Sequence, residues 1–333
     1  ITDPANWDTK ATPVGNANTI EIPSGLTNYP TISNGTNLNV NSITIASGAT
    51  LKTEGNSTVT GNVTYKRNLV FKAGNTEGWH LVGSPVIGQT YDNAYATTNS
   101  IASSGSKRGI ATYNNGLATN NWSYLSSNNS NSGTFGTGTG YSVKTAETTD
   151  ISFTGSLNTN DVDKGITVGV GSAYNLISNP FTAFINSGAF LGLAANSNKL
   201  TSQSIYLWNP TTKNYETKVT VQSFKVAPGQ AFFVKCATPG DLEFKEDIQS
   251  HQSTSTFLRS ENPPEIQLNV TDGVLDRYAK VYYNDNATKG FDNGYDGETF
   301  EGEENSFDVF TQLLEDNQGV NYQIQSLPNS DLE

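Results

Sequence analysis

The sequence predicts an all-β protein, and three observations predict it: a composition weighted to polar turn formers, short runs in which apolar and polar residues alternate, and an internal duplication of strand-like blocks. Of the 333 residues, 35% are hydrophobic and 15% charged, against roughly 45–50% and about 25% in an average globular domain. Asn, Thr, Ser and Gly take up the difference, Asn alone at roughly forty positions, and these residues favour turns over helix interiors. A helical bundle is excluded on that count. Disorder is excluded by the aromatics, 10% of the chain, because disordered segments lack the rings that bury apolar surface.

The length fits two or three domains, since single cores stop growing at about 250–300 residues. No stretch approaches the ~18 apolar residues of a membrane-spanning helix. The first residues, Ile1-Thr2-Asp3-Pro4, are neither a signal peptide nor an initiator methionine, so the numbering is expected to begin inside a longer precursor. With Cys236 the single cysteine there is no internal disulfide framework. Packing, or bound metal ions, must then hold the chain.

Between residues 18 and 70 the runs Thr19–Ile22, Leu38–Val40, Ile43–Ile45, Thr58–Thr60 and Val63–Tyr65 alternate apolar and polar positions, bounded by corners such as Pro23-Ser24-Gly25 and Ser33-Asn34-Gly35. Brief strands turned at Gly or Asn corners resemble a small β-solenoid, in which each rung covers the next. The repeat is too degenerate to fix a period, and a plain antiparallel sheet fits nearly as well.

The middle of the chain is duplicated. Trp79-His80-Leu81-Val82-Gly83-Ser84-Pro85 matches Tyr174-Asn175-Leu176-Ile177-Ser178-Asn179-Pro180, and Ile110–Asn114 matches Ile205–Asn209, both at an offset of 95. Gly138–Lys144 then matches Gly229–Lys235, and Ile151–Phe153 matches Leu242–Phe244, both at 91. In each unit a buried strand ends at a Pro turn, where the missing N–H stops the ladder. Tyr113-Asn114-Asn115-Gly116 and Trp208-Asn209-Pro210-Thr211 turn hairpins that lead to Trp122 and Tyr215, with aromatics placed to pair across the arms. One short helix is predicted, around Ser187 to Ala195. The last region alternates again at Glu265–Val270, Tyr278–Tyr283 and Tyr322–Gln325, and stops about seventy residues into a sandwich that normally needs ~100. The protein is therefore expected to continue past Glu333.

The expected organisation is a β-solenoid-like or sheet segment over 1–72, two jelly-roll-like β-sandwich units over 73–165 and 166–250, and an acidic partial sandwich over 262–333. Charge marks the last boundary. Residues 1–240 hold 14 basic against 11 acidic residues, a balance of +3, whereas 241–333 hold 5 against 20, a balance of −15. The polar stretch Gln249–Thr256 followed by Asn262-Pro263-Pro264 reads as the linker. An acidic surface without a basic stripe disfavours nucleic acid and anionic membranes as partners.

Several of these motifs carry a resemblance. The aromatic-x-Leu-Ile/Val-Gly/Ser-Asn/Ser-Pro opening, Trp208-Asn209-Pro210, Pro228–Lys235 and Ala287-Thr288-x-x-Phe291-Asp292-x-x-Tyr295-Asp296 resemble surface proteins of the Bacteroidota exported by type IX secretion, over residues 78–333. The start, Asn6-Trp7 through Ile20–Pro23 to Tyr29–Ile32, is similar to modules of the same proteins. The resemblance implies an extracellular or outer-surface location and the type IX machinery as an export partner. It says little about activity.

Candidate chemistry is sparse. Only His80 and His251 could serve as a histidine base for a nucleophile; His80 reads as a surface-facing strand residue and His251 as part of the linker. Cys236 reads as a small core residue. Paired carboxylates for glycoside hydrolysis would have to come from the acidic end, where the resemblance is structural. Asp292, Asn293, Asp296 and Glu298 place oxygen donors at short spacing in a Gly-bearing loop, with Glu301, Glu303 and Glu304 following, the donor set Ca²⁺ accepts; an acidic turn closing two strands is the plainer alternative. Tyr113, Trp122, Trp208 and Tyr215, on Asn-rich hairpins, could form a sugar-binding platform or pack across strands. The expected function is a non-enzymatic, adhesin-like surface segment with a cell-surface or glycan ligand. The alternative is a carbohydrate-binding accessory region of a secreted polysaccharide-degrading enzyme.

Overall fold

The computed structural model describes residues 15–251, 264–302 and 307–332, which leaves Asn6-Trp7, most of the expected linker, Glu303 and Glu304 outside the described residues. The chain is all-β, in several sheets.

Strands β1 (Gly15–Ile22), β2 (Asn37–Ile45) and β3 (Thr58–Leu69) pair in parallel, as the solenoid reading expects. A second parallel pair, Thr31–Ile32 with Lys52–Thr53, forms the other side of the coil. Asn37 pairs with Thr58 and Thr31 with Lys52, a step of 21 residues each time. Ile20, Ile43 and Val63 therefore stack in one buried column, and Ile22, Ile45 and Tyr65 in another. The five alternating runs form three strands rather than five, because the apparent gaps are irregularities inside continuous pairing. Gly61 makes one of them. Its φ is +115°, and a Cβ there would sit 2.3 Å from the Val40 carbonyl oxygen. Gly61→Ala is expected to cost at least ~1–2 kcal/mol through backbone strain and this clash, read as a lowered Tm; an unchanged Tm would show that the turn yields freely.

The first unit contains β4 (His80–Val82), α1 (Asn93–Thr98), β5 (Lys107–Tyr113), β6 (Trp122–Ser126), β7 (Tyr141–Val143) and β8 (Thr149–Leu157). The second contains β9 (Val162–Ile166), β10 (Tyr174–Ser178), α2 (Ser187–Gly192), α3 (Ala194–Ser197), β11 (Ser204–Asn209), β12 (Asn214–Val219), β13 (Ala231–Lys235) and β14 (Gly240–Phe244). The sheet orders are β6-β5-β7-β4 and β12-β11-β13-β10, the same topology twice. The remaining matched strands also correspond: β8 pairs antiparallel with β3, and β14 with β9.

Strand pairing runs across the expected boundaries at 72 and 165. The strand that completes the first unit is β3, which also closes the coil, and its counterpart β9 starts at Val162. One buried cluster accordingly extends from Ile20 through Phe135 and Phe153 to Leu157, and a second, from Ile166 to Phe244, lies within the second unit. The predicted helix is present as α2 and α3. Its counterpart α1 was not foreseen: it is six residues long, held by the Asp92 carboxylate accepting the Tyr95 N–H at 2.8 Å, and it buries only Tyr95 and Ala96.

The two units meet across a seam whose contacts are reciprocal. Val82 bridges to Gln230 and Ile177 to Thr139; Gly83 N–H donates to the Gly229 carbonyl at 2.8 Å and Ser178 N–H to the Gly138 carbonyl at 2.9 Å. The duplication exchanges the members of each pair, so the units are related by a pseudo-two-fold axis, as in an isologous dimer.

The acidic block is a single sheet of β15 (Glu265–Thr271), β16 (Asp276–Tyr283), β17 (Gly297–Glu298) and β18 (Tyr322–Leu327), in the order β15-β16-β18-β17, with β16 and β18 parallel. It is fastened to β12: Thr217 N–H donates to Gln323 Oε1 at 2.6 Å, Thr217 Oγ1 to the Glu298 carbonyl at 2.8 Å, and Arg277 to the carbonyls of Thr212 and Lys213.

Candidate functional site

The four aromatic candidates sit in the seam. Tyr113 lies opposite Trp122 and Trp208 opposite Tyr215 in their hairpins. The first pair then packs on Phe233 of the other unit, at ring-centre distances of 4.9 and 6.4 Å, while Tyr215 lies 3.9 Å from Phe300 of the acidic block. Trp208 Nε1 donates to the Trp79 carbonyl at 2.9 Å. Rings that could have offered flat faces to a sugar are placed against one another instead.

The oxygen-rich loop is held by its own hydrogen bonds and by the second unit. Asp292 accepts the N–H and Oγ1–H of Thr288, Asn293 Oδ1 accepts the Gln203 N–H at 2.8 Å, and Glu298 pairs with Lys235 at 2.6 Å. Asp296 is fully buried, its two carboxylate oxygens accepting the N–H groups of Asp292 and Ser326, both at 2.7 Å. Burial raises its pKa to about 6, against the lowering effect of the two N–H donors. Among the described residues no three His, Cys, Asp or Glu side chains converge as a metal-binding group. The candidate Ca²⁺ donors Asp292, Asn293, Asp296 and Glu298 are thus brought into one loop but turned to separate partners.

Of the two histidines, His80 lies in a strand at a partly exposed position, as its sequence suggests, whereas His251 departs from its linker reading. His80 is half-buried, with Nε2 3.0 Å from the Val70 carbonyl. His251 is no free linker residue: Nε2 lies 2.9 Å from Thr31 Oγ1 and Nδ1 2.9 Å from Thr50 Oγ1, which anchors the end of the second unit to the coil. Burial lowers both pKa values. Cys236 is buried in the second core, as expected.

The structure adds a site that sequence reasoning missed. An open cavity of about 240 Å³ in the first unit has Trp79, Lys107, Arg108, Gly109, Tyr124 and Lys144 among its lining residues. Trp79 and Tyr124 meet edge to face at 5.9 Å, and Lys107 Nζ stands 5.0 Å from the Tyr124 ring centre. Lys144 Nζ is 6.0 Å from the Trp79 ring centre and donates to the carbonyls of Gly74 and Glu77. The site joins two aromatic rings to three cations, a combination suited to an anionic ligand with an apolar part. The sequence signals were the repeated Trp79/Tyr174 and Lys144/Lys235 positions. Arg108 and Tyr124 come together only through sheet pairing.

The chain matches no family model, no curated protein and no solved structure. Among the described residues no helix is long and apolar enough to cross a membrane.

Proposed function

We propose that the chain is a non-enzymatic, adhesin-like segment of a surface protein exported by type IX secretion. The observation that supports this best is how its parts are fastened. The coil shares β3 with the first unit, the two units share the reciprocal seam, the second unit is tied to the coil through His251 and through Thr182 Oγ1 donating to the Leu51 carbonyl at 2.6 Å, and the acidic block is clamped on β12. Such a block bends little under load, which suits a stalk or display platform. The side chains with reactive potential, His80, His251 and Cys236, serve as structural contacts within it.

Antibody against the chain should label intact cells of the producing bacterium, and a strain lacking the type IX translocon should retain the antigen inside the outer membrane. Labelling of wild-type cells only after permeabilisation would refute the reading.

A further inference from the structure

The two copies of the duplicated unit differ in what covers one patch of their four-stranded sheets. In the second copy the patch is Tyr174, Gln203, Thr217 and Lys235, and the acidic block lies on it. Phe300 packs on Tyr174 at 4.5 Å, Glu301 N–H donates to Tyr174 Oη at 3.1 Å, Asn293 accepts from Gln203, Glu298 accepts from Thr217, and Glu298 pairs with Lys235.

The first copy places Trp79, Arg108 and Lys144 at three of these positions through the offsets of 95 and 91. Tyr124 takes the fourth, because it pairs with Ala111 as Thr217 pairs with Tyr206. These four residues line the cavity described above. The match extends to geometry: Lys235 Nζ is 5.8 Å from the Tyr174 ring centre and Lys144 Nζ 6.0 Å from that of Trp79.

The difference in charge between the copies runs in one direction. Ser202-Gln203 of the second copy stands as Lys107-Arg108 in the first, two cations in place of two neutral residues. Arg108 donates to Asn93 Oδ1 at 3.0 Å and to the carbonyls of Gly105 and Lys107, and among the described residues no carboxylate forms an ion pair with it or with Lys107, although the chain carries a net charge of −12.

We propose that this cavity binds an acidic, extended peptide segment of a partner protein, of the Glu-x-Phe-Glu kind that Glu298-Thr299-Phe300-Glu301 presents to the second copy. Its carboxylates meet Lys107 and Arg108, and its aromatic side chain meets the Trp79 and Tyr124 pair. The inference stands on the duplication and holds wherever the chain is located.

The test is a fluorescein-labelled peptide of residues 295–302, YDGETFEG, titrated into the full chain and followed by anisotropy. Saturable binding is expected, weakened about tenfold by the double substitution Lys107→Glu and Arg108→Glu, since two surface ion pairs turn repulsive. A Glu→Gln peptide and raised salt should weaken it likewise. Lys107 is exposed and Arg108 half-buried, and circular dichroism with an unchanged Tm verifies that the variant folds. Absence of saturation at about millimolar peptide, or equal binding by the double variant, overturns the proposal. So does competition-proof binding of oligogalacturonate at this cavity, which would make the ligand an acidic sugar. A dimer of the free chain that Lys107→Glu dissociates would assign the cavity to a second copy instead, and would equally overturn it.

Discussion

Phe233→Ala is expected to be the most damaging single substitution in the chain, at about 3–5 kcal/mol, the usual cost of emptying a buried Phe site. Phe233 is 1% exposed, and its ring lies within 4.9–6.4 Å of the ring centres of Tyr113, Trp122, Tyr174, Tyr215 and Phe300. These five rings come from both units and the acidic block, so the void opens where three parts of the chain meet and no single part can collapse to fill it. Chemical denaturation should show a lower midpoint, and protease should cut near residues 264–302 sooner than in the parent protein. A loss under ~1 kcal/mol would mean that the seam is held by its backbone bridges alone.

Asp296 is expected to give the second large effect, and one with a pH signature. Its folded pKa, about 6, lies above the ordinary 3.8 because burial penalises the ionised form. Between those values the folded chain keeps a proton that the unfolded chain releases. This contribution is therefore complete below pH ~3.8 and is lost as the pH rises through 6, amounting to about 3 kcal/mol over the two-unit shift. Asp296→Ala should abolish that component of the pH profile and, by leaving the buried N–H of Ser326 and the half-buried N–H of Asp292 without their acceptor, cost roughly 2–4 kcal/mol at pH 5. Urea titrations of both proteins at pH 4, 5, 6 and 7 check it; identical slopes of stability against pH would show that Asp296 ionises normally.

The β class, the duplication and the opposed aromatic pairs were legible because each is written in local sequence: alternation at period two, matched blocks, and rings at either end of a hairpin. What escaped is what depends on how separated segments meet. The coil could not be told from an antiparallel sheet because its step is irregular, with Ile20 pairing with Ile43 but Ile43 with Val63. His251 reads as linker because its neighbours are polar, yet two threonine hydroxyls from the coil fix it. The duplication showed which residues correspond but not that the copies face each other about an axis. For the same reason the aromatic candidates could be named while their burial against Phe233 and Phe300 could not. The cavity escaped because its residues are scattered: Trp79 and Lys144 sit at the ends of two matched blocks, Arg108 and Tyr124 in two further segments, and only sheet registry joins the four.

The reciprocal seam also bears on how the two copies could diverge. In a dimer of identical chains every substitution appears twice, so a residue that suits one face must suit its mirror position as well. Joining the copies by the short stretch between Leu157 and Val162 removes that constraint. Residue 203 could become the seat of the acidic block while residue 108 became a guanidinium, each change made once. A single chain can thus seat the acidic block on one patch and hold the matching patch with its own residues 74–77, an asymmetry that a dimer of identical chains could not carry.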